Sequence, residues 1–505
     1  MKKALFCAAA ISSIASAAYA DELSDLKAQS DQLKQQNQLL ISRIEALEAR
    51  ENKLEAQPLP PQTAAPAPTG PDNGPLTWHG ITISGSIDLG AAYQTAGTPL
   101  NGNYGPGLEY LITKNSNKGQ FSFAPNALSY SSLGVKGTEE IFDGLSAVFN
   151  VQSTFVPTSG QLSNGQQSLV DQNGVPLNKQ VSGGDSSRAG QPFNGAAYIG
   201  LSSPTFGTLT VGRQNALTLD GVIAYDPMGA SNAFSLIGYS GTVAGMGDTE
   251  DARLDNSLKY LVNLGPVRAA TLVQIPGNSN ITNGGAYEFD LGTDFEGLSV
   301  DAVYSQKYDA ISAATLAAPA AGTQEQLAAT ISDNTTYMFL ARYELDAFKF
   351  YGGYEHLQFD NPQNPLGSPV KGVSTVPIPD LGGYTIAAGQ GTNNAFTNQK
   401  VLEYWWTGLK YALTPELDLA GAYYHEWQND FLDKTCPSTG TAPANTINKA
   451  CAGDLDAFSL LADYKFTKRL DVYGGFMYSV VDGGLSSGFL HDSTIDPTVG
   501  ARFRF

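Results

Sequence analysis

From Trp78 onward apolar and polar residues alternate with a period of two, in short stretches separated by turn-rich sequence. That period puts successive side chains on opposite faces of a β-strand. In the first stretch, 78–93, Ile81, Ile83, Ile87, Leu89, Ala91 and Tyr93 share one face, and Thr82, Ser84, Ser86 and Asp88 the other. The same reading predicts strands over 127–138, 145–156, 193–203, 206–213, 253–263, 267–275, 286–295 and 298–308. It continues over 335–345, 347–359, 401–413, 416–428, 456–466, 469–481 and 496–505. Together these make sixteen, and single-chain bacterial outer-membrane barrels have even strand numbers. The connections alternate too: 94–126 is long, 139–144 short, 157–192 long and 204–205 short. Later long connections fall at 309–334, 360–400 and 429–455, against tight turns such as Glu296-Gly297 and Thr414-Pro415. Long loops on one side and tight turns on the other predict an all-β, antiparallel transmembrane barrel whose long loops face outward.

One connection exceeds what a compact domain tolerates without a purpose. It is the run 214–252, between the strands at 206–213 and 253–263. In a wide barrel such a loop, the third long one, is expected to fold into the bore and narrow it. The chain is therefore expected to form a diffusion channel.

The N-terminus follows a different period. Leu26, Leu33, Leu40, Leu47 and Leu54 recur every seven residues, with Leu23, Ser30, Asn37, Ile44 and Glu51 in the companion positions. This predicts an α-helical coiled coil over 21–56. A proline-rich stretch, 57–75, reads as a semi-extended linker to a barrel over 76–505. Residues 1–20 carry Lys2 and Lys3, an apolar run and Ala18-Tyr19-Ala20, the pattern of an export signal peptide cleaved before Asp21. The long loops face outward, so the stalk is expected in the periplasm, where peptidoglycan is a candidate partner.

Composition supports this organisation. Charged residues are 15% of the chain and there are 54 glycines, whereas soluble domains carry about 25% charged residues. Beyond the N-terminus there is no run of about 18 apolar residues that would span as a helix. Strands reconcile these facts, because only alternate residues of each strand meet lipid. Loss of the signal removes two of 29 bases and leaves 48 acids, a net charge near −21. So acidic a chain is not expected to bind nucleic acid, and a channel lined by such charge favours cations. Cys7 lies in the signal. Cys436 and Cys451 share one loop and are expected to form a disulfide in an oxidising compartment.

Several stretches resemble the general Gram-negative porin family. Leu133-Gly-Val-Lys-Gly-Thr-Glu-Glu140 with Gly144-Leu-Ser-Ala-Val-Phe149 is similar to its second hairpin. Ala197-Tyr-Ile-Gly-Leu201 with Phe206-Gly-Thr-Leu-Thr-Val-Gly-Arg-Gln214 is similar to the hairpin before its constriction loop. Asp255-Asn-Ser-Leu-Lys-Tyr260 and Val499-Gly-Ala-Arg-Phe-Arg-Phe505 resemble the strand after that loop and the closing strand. The resemblance implies a homotrimer of sixteen-stranded barrels in outer-membrane lipid. It also implies a constriction in which loop acids face wall bases. By position the acids are Asp220, Asp226, Asp248, Glu250 and Asp251, and the bases Arg213 and Arg253. Counting faces from Leu258 and Tyr260 as lipid-facing sends Arg253, Ser257 and Lys259 inward, and the same count sends Lys136 inward. The aromatic terminus, Phe505, is implied to be the signal read by the barrel-assembly machinery. Ser132, Gly195 and Ala196 stand where well-known members carry bases, which weakens the transverse field and favours cations.

The expected function is a water-filled channel for passive diffusion of small hydrophilic solutes and ions, weakly cation-selective. A sugar- or phosphate-specific porin and an outer-membrane tether to the cell wall are the alternatives. An enzyme is not expected, and no cofactor or metal is implied. His79, His356, His425 and His491 are scattered, and zinc spacings, phosphate loops and nucleophile elbows are missing from the sequence.

Overall fold

The computed structural model describes residues 76–97, 116–160, 192–237, 253–276, 285–315, 327–361, 399–431, 452–486 and 489–505, with short stretches at 100, 110–112, 162–163, 384–387 and 390–393. The chain divides into two compact units, Met1–Asp72 and Asn73–Phe505. In the first, Lys27, Lys34 and Gln38 are helical. The remainder of the expected signal, coiled coil and linker lies outside the described residues, as do Cys436 and Cys451.

The second unit is built of strands. In order they are β1 (Leu76–Trp78), β2 (Ile81–Gly97), β3 (Lys118–Pro125), β4 (Ser131–Phe142), β5 (Leu145–Phe155), β6 (Ala196–Ser203) and β7 (Gly207–Asn215). After the helix α1 (Leu217–Tyr225) come β8 (Arg253–Leu264), β9 (Val267–Gln274), β10 (Ala286–Phe295), β11 (Leu298–Thr315), β12 (Leu327–Leu345) and β13 (Phe348–Asp360). The series ends with β14 (Tyr384–Ala387), β15 (Gln390–Asn393), β16 (Lys400–Ala412), β17 (Leu417–Gln428), β18 (Gly453–Lys465), β19 (Leu470–Gly483) and β20 (Ser493–Arg504). Sixteen of them close an antiparallel barrel. Closure is direct: β20 lies along β2, with Arg504 opposite Ser86 and Thr498 opposite Ala92. Phe505 and Gly85 then exchange both backbone hydrogen bonds.

Every predicted strand coincides with a wall strand, because the alternation is imposed by lipid outside and polar groups inside. Outward residues such as Ile199, Val211, Phe339 and Val499 are exposed, while their neighbours turn in. The tight turns use backbone shapes suited to hairpins: Glu296 (φ 46°) and Gly297 (φ 87°) form a mirror-image turn that follows the strand twist.

Several details differ from the sequence reading; besides the short β1 and the β14–β15 pair inside the expected loop 360–400, three concern the wall. β3 lies within the expected first loop and pairs with β2 beyond the end of β4. β4 starts at Ser131 rather than 127, because the chain breaks at Asn126 (φ 59°). Asp88 holds that break by accepting the backbone N–H groups of Leu128 and Ser129. Finally, β11 and β12 continue past 308 and before 335, pairing out to Thr315 opposite Leu327.

Candidate functional site in the lining of the bore

The segment after β7 does not leave the barrel at once. Leu217 N–H donates to Glu288 on β10 at 2.5 Å, which caps the start of α1 with a carboxylate. At the other end Trp406 Nε1 donates to the Tyr225 carbonyl at 3.0 Å, and Arg342 Nη1 to that of Ala224 at 3.2 Å. Glu288, Arg342 and Trp406 belong to the inward series of their strands, alternating with exposed Phe289, Tyr343 and Trp405. Leu217, Val222, Tyr225, Phe234 and Leu236 pack with inward Met338, Leu340, Trp406 and Tyr473 in one apolar cluster. Beyond α1, Ala233 N–H donates to the Ala127 carbonyl, which brings this segment to the break before β4.

The expected constriction residues separate into distinct environments. Asp220, on α1, receives a hydrogen bond from Asn215 Nδ2 at 3.0 Å and forms an ion pair with Lys259. Lys136 turns inward between Thr82 and Asn150, its direct cross-strand neighbours. Lys136, Lys259 and Asp220 line one cavity of about 520 Å³. Asp248, Glu250 and Asp251 lie outside the described residues.

Asp226 is not a bore-facing acid. It is buried and accepts hydrogen bonds from Tyr424 Oη at 2.5 Å and from the Met228 and Ala230 N–H groups. Burial pushes its carboxyl above the usual range, and the donors from Tyr424, Ser235, Ala230 and Met228 only partly offset this. It anchors the loop to β17. Burial likewise raises Tyr225, reinforced by its contact with Asp301.

The two arginines require a correction. Strict alternation from Leu258 would turn Arg253 inward with Ser257 and Lys259. The register shifts between Gly212 and Gln214, and Asn256 takes a φ of 51°. An irregularity of this kind reverses the parity of the residues beyond it. Fully buried Leu254, opposite Gln214, takes the inward place, and Arg253 falls on the face opposite to Lys259. Arg213 stands across from Ala197, in the series of outward Ile199 and Leu201. Its guanidinium donates to Asp255 at 2.7 Å and to the Asn194 carbonyl at 3.0 Å.

Further bases, beyond the expected constriction set, lie at the turn end of the bore. Arg268 pairs with Asp294 and Asp301, Lys349 with Glu344, and Lys465 with Asp418. Arg502 and Arg504 both donate to the buried Asp471, at 2.5 and 3.0 Å. β5, β6 and β7 carry a single charged residue, Arg213, so their inner face is uncharged.

A family model described as Gram-negative porin matches residues 4–484. An outer membrane porin protein of Bordetella pertussis is 28% identical over 180 residues, which are 36% of this chain. That alignment spans 38% of the relative's own length. Among solved structures, the anion-selective porin from Comamonas acidovorans aligns with a TM-score of 0.54 at 15% identity, covering 84% of this chain and 99% of that one. An outer membrane protein of Vibrio cholerae aligns with a TM-score of 0.49 at 14% identity, covering 85% and 99%.

Proposed function

Because the chain belongs to the Gram-negative porin family, we propose that it is a water-filled outer-membrane channel for passive diffusion of small hydrophilic solutes and ions. The observation that carries this reading is the closed barrel whose inner wall between β4 and β8 is rich in hydroxyls and amides, among them Thr138, Asn150, Gln152 and Thr210, with Lys136 and Lys259. Water and polar solutes meet such a wall without a desolvation barrier. The segment 217–237 narrows the passage by lying along the inner face.

The channel is weakly cation-selective. Asp248, Glu250 and Asp251 and the net charge near −21 favour cations. The preference is shallow because the acids Asp301, Glu344, Asp418 and Asp471 are neutralised by bases within 3.0 Å. The working unit is a homotrimer. Supporting this, outward residues of β4–β6 are mainly aliphatic, such as Leu133, Val135, Val151, Ile199 and Leu201, whereas β10–β18 present a tyrosine and tryptophan belt toward lipid. The stalk stands in the periplasm, Phe505 is the assembly signal, and Cys436 and Cys451 are joined.

Recording the refolded mature chain in planar bilayers under a KCl gradient tests this. The expected result is three-step opening with a reversal potential of cation sign. Anion sign overturns the selectivity, and silent bilayers overturn the channel.

A further inference from the structure

The sector of the bore on β2 and β4–β8 is a built recess. Inward residues meet there in two rows running across β2 and β4–β8. One row is Thr82, Lys136, Asn150 and Tyr198; the next is Thr138, Val148, Gly200, Thr210 and Lys259. Gly200 has no side chain to fill the second row, and a Cβ there would meet the Leu209 carbonyl at 2.1 Å. The rows bound the 520 Å³ cavity, and a second cavity of about 630 Å³ continues past Thr138 and Thr208 toward Arg268.

Charge in this recess is uneven. Lys259 is neutralised by Asp220 and also donates to the Asn215 carbonyl at 3.0 Å. Lys136 is exposed to the cavity, and among the described residues it forms no ion pair. The remaining acids nearby are Glu140, nearer the turn end of β4, and Asp290, in the second cavity. One available ammonium beside hydroxyls, amides and a tyrosine ring matches a solute with one negative charge and several hydroxyls. The cation binds the carboxylate, while Thr82, Asn150, Thr138 and Thr210 exchange hydrogen bonds with the hydroxyls.

We propose that the Lys136 recess is a binding subsite for sugar acids, small polyhydroxylated monocarboxylates that pause there during passage. It is wide enough for a six-carbon chain at the 520 Å³ observed. The subsite rests on the channel reading for its purpose, but binding is measurable without conduction.

The test uses the refolded mature chain and three probes: sodium gluconate, glucose and sodium acetate. In planar bilayers gluconate is expected to reduce the KCl current at about fivefold lower concentration than either glucose, which lacks the charge, or acetate, which lacks the hydroxyls. Lys136→Gln raises the gluconate half-block concentration about tenfold, as for loss of one charge-assisted contact, and Lys136→Arg restores most of it. Equal block by all three probes, or block indifferent to Lys136→Gln, overturns the subsite. Equilibrium dialysis of labelled gluconate with the detergent-folded protein separates the two readings. Binding that Lys136→Gln abolishes, in a protein without conductance, keeps the subsite and overturns the channel. Absence of gluconate binding in a conducting protein does the reverse. A heat-modifiable gel shift retained by both variants establishes that each barrel is folded.

Discussion

The two sides of the bore solve the same problem differently. On β5–β7 polar, uncharged side chains face water. On β9–β20, near the turns, paired ions do so, with Asp471 serving Arg502 and Arg504 together. The first wall loses little when one group is removed, because water replaces each partner. The second is cooperative, because a buried carboxylate without its arginines, or the reverse, is a desolvated charge. The uncharged wall on β5–β7 is therefore separate from the ion-paired wall that includes the closing strand.

The strongest way to break this contrast is Asp471→Ala. Asp471 is fully buried between two arginines of the closing strand, so about 3–5 kcal/mol of stability is expected to go. Urea unfolding of the detergent-folded protein measures it; a loss under about 1 kcal/mol would mean that water already reaches this network. Next is Asp226→Ala, which strips the acceptor from Tyr424, Met228 and Ala230. About 2 kcal/mol of local stability is expected to be lost, read as faster amide exchange in 217–237, with the wall strands unchanged. Uniform loss of protection across the barrel would contradict its role as a loop anchor.

Asp220→Asn sharpens the comparison from the other side. It leaves Lys259 without its carboxylate, close to Lys136 in one cavity. The reversal potential is expected to move toward anions, with permeability ratios changing about two- to threefold, consistent with roughly 0.5 kcal/mol of screened interaction. The smallest effect belongs to Lys349→Gln. Lys349 and Glu344 are both more than 40% exposed, and breaking the pair is expected to change the unfolding free energy by less than about 0.5 kcal/mol.

The alternation of Ile81, Ile83, Ile87 and Leu89 against Thr82, Ser84 and Ser86 was enough to place a wall strand, and the same held for all sixteen. β3 was missed although Phe121 and Phe123 alternate with Gln120 and Ser122, because the eight-residue strand hides inside a long loop. Lys136 and Lys259 were legible as inward bases because their strands alternate without interruption on the way to them. Arg253 was not, since one irregular residue near Asn256 inverts every face assignment beyond it. Asp226 shows a different limit. A loop acid in sequence reads as solvated, and only the approach of Tyr424, 198 residues away, makes it a buried anchor.

By itself the sequence determined the strand count, the polarity of the faces wherever alternation runs unbroken, the tight-turn side and the family, because these depend on local period and local turn chemistry. Tertiary structure alone decided which charges are paired and which remain open to solute. It also decided where α1 lies and which strands enclose the Lys136 recess. Those properties arise from side chains far apart in the chain meeting across a closed surface, and no local pattern encodes such a meeting.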